Sequence, residues 1–262
     1  MGWVKQAVAV MLISVPLFFG AYVYASQTEQ DAIEGNNRGY VLYAQGNLDG
    51  AIAEFDKAIE LNPNYALAYY NRGLAKREKG NLDGEIEDYT KSIDLDSSYA
   101  AAFYNRGLAL EEKGNLDGAI ADQTKAIELE PTNAKAYYSR AVAKGEKGDL
   151  QGSIQDNSKA IQADPNFSDA YFSRGLARGQ ANDLAGAVQD YTAVIARNGN
   201  SADAYYNRGA IFLKNKDYNY ALSDFEKASS LDPSMSAKVK PVIDQIKKLN
   251  STAGKSSAAG KK

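Results

Sequence analysis

Six arginines each have an acid sixteen residues downstream: Arg38 with Glu54, Arg72 with Asp88, Arg106 with Asp122, Arg140 with Asp156, Arg174 with Asp190, and Arg208 with Asp224. A guanidinium and a carboxylate match as a two-pronged hydrogen-bonded pair, so the spacing predicts ion pairs between helices of one repeat or of neighbouring ones. The competing chemistry is a row of cations gripping an anionic ligand. A rule kept at all six arginines favours the structural pairing. Catalysis has little to work with, because the 262 residues include no His and no Cys. That removes the imidazole base, the thiolate nucleophile and the Cys/His zinc site. The remaining carboxylates recur at repeated spacings with no unique cluster, no Gly-rich phosphate loop and no Gly-x-Ser-x-Gly turn. The expectation is a protein that is not an enzyme and takes no metal and no cofactor.

The elements that must hold these arginines are legible from the period. Asn37-Arg38-Gly39, Asn71-Arg72-Gly73, Asn105-Arg106-Gly107, Ser139-Arg140-Ala141, Ser173-Arg174-Gly175 and Asn207-Arg208-Gly209 step by 34 residues each time. Six units tile residues 32–65, 66–99, 100–133, 134–167, 168–201 and 202–235 without an insertion. In the first unit Ala51, Ile52, Phe55, Ala58, Ile59 and Leu61 share one helical face. Gly46-Asn47, Gly80-Asn81, Gly114-Asn115 and Gly148-Asp149 supply a left-handed stop followed by an amino-terminal cap. Pro63, Pro131, Pro165 and Pro233 end the second helices. Each unit is therefore helix, tight turn, helix, stop. Small residues at Gly39, Gly73, Gly107, Ala141, Gly175 and Gly209 let the helices approach, and Phe55, Tyr89, Tyr191 and Phe225 fill the wedge beside them. One such hairpin cannot bury its apolar face alone, but stacked neighbours build a continuous core.

The ends differ from the body. Residues 1–25 carry a single charge, Lys5, before an uncharged run, and Val23-Tyr24-Ala25 resembles a cleavage point. This predicts a signal peptide, or an uncleaved membrane anchor through residues 6–25. Either places the body outside the cytoplasm, in the periplasm or on the outer face of the membrane. Val239, Val242, Ile243, Ile246 and Leu249 predict a capping helix over 236–250, and 251–262 read as a disordered Lys-rich tail. Residues 236–262 hold seven Lys and one acid, which leaves 22 basic and 32 acidic residues between 26 and 235. An acidic body disfavours nucleic acid as a partner.

The units resemble tetratricopeptide repeats: 34 residues, an aromatic at position 4 (Tyr69, Phe103, Tyr137, Tyr171, Tyr205), Gly or Ala at position 8, small residues at 20 and 27, an aromatic at 24 and Pro at 32. Departures are Gly35 at position 4, Glu85 and Ser153 at 20, Gln123 and Asn157 at 24, and Ser97 and Gly199 in place of Pro. They predict looser packing in the third and fourth units. The resemblance implies an all-α fold, a right-handed superhelical solenoid of six tandem helix-turn-helix repeats with the C-terminal cap, whose first helices line a concave groove. Position 5 on that face carries Tyr70, Tyr104, Tyr138, Phe172 and Tyr206, with Asn71, Asn105 and Asn207 beside them. An aromatic ring and an amide can stack on side chains and hydrogen-bond a peptide backbone, although rings there also serve packing. Nearby acids favour a neutral or basic segment. The family's carboxylate clamp is absent, since position 5 is never Lys. The function expected is a protein–protein interaction scaffold of the cell envelope, binding a polypeptide segment in the groove. The alternatives are a subunit of a larger exported assembly that uses convex or end surfaces, and contact with an envelope polymer or nucleic acid through the basic tail.

Overall fold

The computed structural model describes residues 27–259, with side chains as far as Leu249. The signal or anchor assigned to residues 1–25 lies outside the described residues. All described elements are helices, in two compact units that divide between Glu130 and Pro131. The first unit contains α1 (27–44), α2 (Leu48–Leu61), α3 (Ala66–Glu78), α4 (Leu82–Leu95), α5 (Ala100–Glu112) and α6 (Leu116–Leu129). The second contains α7 (Ala134–Glu146), α8 (Leu150–Ala163), α9 (Ser168–Gln180), α10 (Leu184–Arg197), α11 (Ala202–Lys214) and α12 (Tyr218–Leu231). A 3₁₀ turn (Pro233–Met235) and α13 (Ser236–Ala259) follow. Within each unit a helix packs chiefly on its neighbours in sequence, and α7 also touches α9. Among the described residues no helix is long and apolar enough to cross a membrane.

The turn inside each hairpin follows from two adjacent residues. Gly46, Gly80, Gly114 and Gly148 adopt φ between +72° and +84°, where a side chain is strained, and Asn182 and Lys216 take that conformation in the last two hairpins. The next residue caps the second helix: Asn47, Asn81, Asn115, Asp149 and Asp183 accept from the backbone N–H three positions on, always a Gly. That glycine has a steric reason. A Cβ at Gly118 would stand 2.8 Å from the Asn115 amide. The sixth hairpin has Tyr220 at this place, and its Asp217 makes no capping bond.

Packing inside the hairpin is equally tight. A Cβ on Gly39, Gly73 or Gly175 would sit 2.6 to 2.9 Å from the ring of Phe55, Tyr89 or Tyr191, so the small residue and the aromatic ring specify one another. The departures at position 24 are half satisfied by polar contacts: Gln123 donates to the Tyr104 carbonyl at 3.1 Å and Asn157 to the Ser173 hydroxyl at 3.0 Å, while Gln123 Oε1 and Asn157 Oδ1 are buried without a partner among the described residues. Where Gly199 replaces Pro, Arg197 pins the preceding loop by donating to the Pro165 carbonyl at 2.8 Å. On α13, Val239 and Ile246 are buried against Ala221 and Phe225, so this helix covers the last hairpin. It continues past Asn250 to Ala259, through backbone set down above as disordered. Its three alanines, Ala253, Ala258 and Ala259, and Lys255 are good helix formers.

Candidate functional site

Each repeated arginine sits mid-way along a first helix, and the hairpin turn brings the second helix's acid opposite it. Arg72 donates through Nε and Nη2 to both carboxylate oxygens of Asp88, at 2.9 and 2.6 Å. Arg106 grips Asp122 the same way at 2.7 and 2.8 Å, and Arg208 grips Asp224 at 2.8 Å through both nitrogens. Arg140 pairs with Asp156 at 2.7 Å and Arg174 with Asp190 at 2.6 Å. Hydrogen bonds to Asp122 hold the Arg106 guanidinium above its ordinary value, against the opposing effect of burial. The third prong of the fork turns to the preceding hairpin. Nη1 of Arg72 reaches Asp56 at 2.5 Å, that of Arg106 reaches Thr90 at 3.2 Å, and those of Arg174 and Arg208 reach Ser158 and Thr192 at 3.0 Å. Sequence reasoning missed these acceptors, yet the signal was present: a side-chain oxygen stands sixteen residues upstream as well. Lys76, Lys144 and Arg178 add a second cation to Asp88, Asp156 and Asp190, at 2.9, 2.8 and 2.8 Å. Ring faces of Tyr69, Phe103, Tyr137, Tyr171 and Tyr205 lie 5.4 to 5.8 Å from the guanidinium carbons. Arg38, paired with Glu54 at 2.7 Å, stays 57% exposed. An arginine held on three sides has little left with which to grip an anion.

The position 5 series is half-buried, and its members have different neighbours. Tyr70 packs 4.7 Å from Tyr99 and 5.8 Å from Tyr89, and its hydroxyl accepts from Asn105 at 3.0 Å. Burial pushes the Tyr70 phenol up, with the Asn105 bond opposing. Asn71 is an interior rung, 7% exposed, donating to Asn36 at 2.9 Å. Asn105 and Asn207 both turn back to the carbonyl four residues earlier, Ala101 at 3.0 Å and Asp203 at 2.9 Å, and the preceding ring for Asn207 is Phe172, which has no hydroxyl to add. Tyr138 stacks 5.1 Å from Phe167, and Phe172 lies 5.7 Å from Tyr191. Tyr206, 5.8 Å from Phe225, is covered by its own chain: the Lys238 ammonium lies 4.0 Å over the ring. Tyr104 remains half-exposed on α5, its carbonyl held by Gln123. Asn71 and Tyr206 thus sit where the protein itself engages them.

Two rungs do meet around open space. Tyr138 and Phe172 line a hollow of about 440 Å³ in the second unit, together with Val142 and Leu176. Its floor is Ser153, buried on α8, and its rim carries Glu146 and Gln180, both exposed. Leu176 is 38% exposed. The hollow arises where first and second helix both carry minimal side chains, Gly145 and Ser153. In the hairpin of α3 and α4 those two places hold Arg77 and Glu85. Glu85 is 1% exposed with Oε2 unpartnered among the described residues, and burial raises its carboxyl, with Arg77 opposing and Glu112 adding.

A repeating hairpin with a Gly–aromatic wedge and an Arg–Asp node invites comparison with known families. The model described as TPR repeat matches residues 39–80, 73–114 and 109–148, and the model described as tetratricopeptide repeat matches 202–235. No curated protein matches the chain. Among solved structures, MamA is 25% identical, with 63% of this chain and 96% of MamA covered and a TM-score of 0.60. YrrB, described as a TPR protein with an unusual peptide-binding site, is 25% identical over 71% of this chain and 97% of its own, with a TM-score of 0.63. Pseudomonas aeruginosa pilF shares the fold at 17% identity, covering 79% and 94% of the two chains with a TM-score of 0.67. The pattern in the residues, the hairpins it builds and these matches agree: the chain belongs to the tetratricopeptide repeat family.

Proposed function

We propose that the protein is a non-catalytic adaptor that binds an extended polypeptide segment along the first helices of its hairpins, and that it works in the cell envelope. The observation carrying the binding assignment is the hollow in the second unit, where two position 5 rings and Leu176 present apolar surface that no described side chain fills. The likeness to YrrB, whose description includes a peptide-binding site, supports it. Half-exposed Tyr104 supplies the same kind of surface on α5. Exposed Glu112, Glu146, Asp169 and Asp203 favour a neutral or basic segment. The envelope assignment rests on the single basic residue, the apolar run and the Val23-Tyr24-Ala25 sequence before Ser26.

A second reading, a subunit of a larger exported assembly, is favoured by apolar side chains elsewhere. Tyr220 on α12 is 67% exposed. A photoreactive residue placed at either Leu176 or Tyr220 of the full chain separates the two. Adducts with another polypeptide at Leu176 and none at Tyr220 are expected. The reverse distribution would move the contact to the outer surface and establish the second reading.

A further inference from the structure

We propose that the hollow between α7 and α9 is a specificity pocket for one bulky apolar side chain, Leu, Met, Phe or Trp, of the bound segment, and that Glu146 at its rim pairs with a Lys or Arg beside that anchor. The proposal rests on the segment-binding function above and names which segments are taken. At about 440 Å³ the space falls within the range of pockets that hold small ligands. Its walls are Tyr138, Val142, Phe172 and Leu176, so the favourable term on entry is burial of apolar surface.

The interior is chiefly apolar. The Ser153 and Ser173 hydroxyls accept from the Asn157 amide, at 3.5 and 3.0 Å, and the buried Asn157 Oδ1 is the acceptor left over for a guest donor, so most of the surface a guest meets is the apolar wall. What keeps the pocket open is the missing side chain at Gly145. A Cβ at Gly145 would meet only Ser153, at 3.4 Å from its hydroxyl, and a larger side chain there would project into the hollow.

The charge at the rim selects the neighbour. Arg140 and Lys144 are engaged with Asp156, and Arg174 and Arg178 with Asp190. Glu146 is exposed and makes no hydrogen bond or ion pair among the described residues. The cations of α7 and α9 nearest the pocket are therefore neutralised from behind, while the carboxylate at its mouth is uncommitted. An incoming cation completes that pair and an incoming carboxylate is repelled.

The test is a positional-scanning array of immobilised heptapeptides probed with the full chain. Bound peptides are expected to share one bulky apolar residue with Lys or Arg within two positions of it. Gly145→Leu, which projects into the pocket from its own wall, should weaken the best peptide by about ten- to a hundredfold, the value of one buried side chain. Its thermal midpoint should stay at or above that of the wild type, because Leu is the better helix former. Leu176→Ala, which only trims the wall, should cost a smaller factor. Glu146→Lys should keep the apolar preference and change the preferred neighbour from basic to acidic. Peptides selected without an apolar anchor, or bound equally by Gly145→Leu but lost with Tyr104→Ala, would overturn the pocket and leave segment binding in place. An array bound at no position, with photoadducts at Tyr220 alone, would overturn both.

Discussion

Arg106 reaches three helices at once: its own α5, Asp122 on α6 and Thr90 on α4. It is 19% exposed and Asp122 still less, so the pair lies where water gives little help. Buried pairs of this kind add little net stability, whereas removing one member strands the other. Arg106→Met should therefore lower unfolding stability by about 3 kcal/mol, and replacing Arg106 and Asp122 together by apolar residues should cost less. Urea unfolding of the two variants decides it; equal or reversed costs would show that the pair is not coupled. Glu85 is the opposite case, a buried acid with an unpartnered oxygen where other hairpins have Ala51, Ala119, Ala187 and Ala221. Its carboxyl is raised in the folded state, so the stability it allows is fully present below the ordinary carboxylate range and is lost as pH rises through the raised value. Glu85→Gln should match the wild type in acid and exceed it at neutral pH by about 1 kcal/mol or more, the scale of an unsatisfied buried group. Unfolding curves across that pH range give the answer, and a difference independent of pH would contradict the assignment.

Within the hairpin, each turn is a balance between a left-handed stop and the cap that follows it. Four stops are glycines, and the sixth hairpin uses Lys216 at φ 66° followed by Asp217 without a capping bond. Two weaknesses fall together there, so α11 and α12 should be joined by the least stable turn. Lys216→Gly relieves the left-handed strain and should raise stability by about 1 kcal/mol. Thermal unfolding of the single variant measures this. The same substitution in the first hairpin is already made by Gly46, which is why its turn needs no compensation.

At the scale of the whole molecule, contacts within each unit run mainly between helices adjacent in sequence, so damage should stay local. α13 places Val239 and Ile246 on Phe225 and sets Lys238 over Tyr206. Removing residues 236–262 exposes that surface. Hydrogen exchange in α11 and α12 should then accelerate, while α3 to α6 exchange as in the intact chain. Uniform acceleration across all helices would mean that the array unfolds as one cooperative body.

The 34-residue step, the hairpins, their stops and caps, and the Arg-to-acid spacing were all legible in the sequence. They depend on helical periodicity, on neighbouring residues at the turns and on spacings repeated along the chain, all of which a single sequence carries openly. The upstream acceptors Asp56, Thr90, Ser158 and Thr192 were equally present in the spacing, but only packing shows that one guanidinium serves two hairpins. The 34-residue step runs through Glu130 and Pro131 unchanged, so nothing in the period marks the division into two units. Tertiary structure also decided that Asn71 faces Asn36 indoors, that Lys238 covers Tyr206, and that Gly145 and Ser153 leave a hollow between Tyr138 and Phe172. Open space and burial depend on side chains brought together from separate helices, and no local pattern records how much of that space they fill.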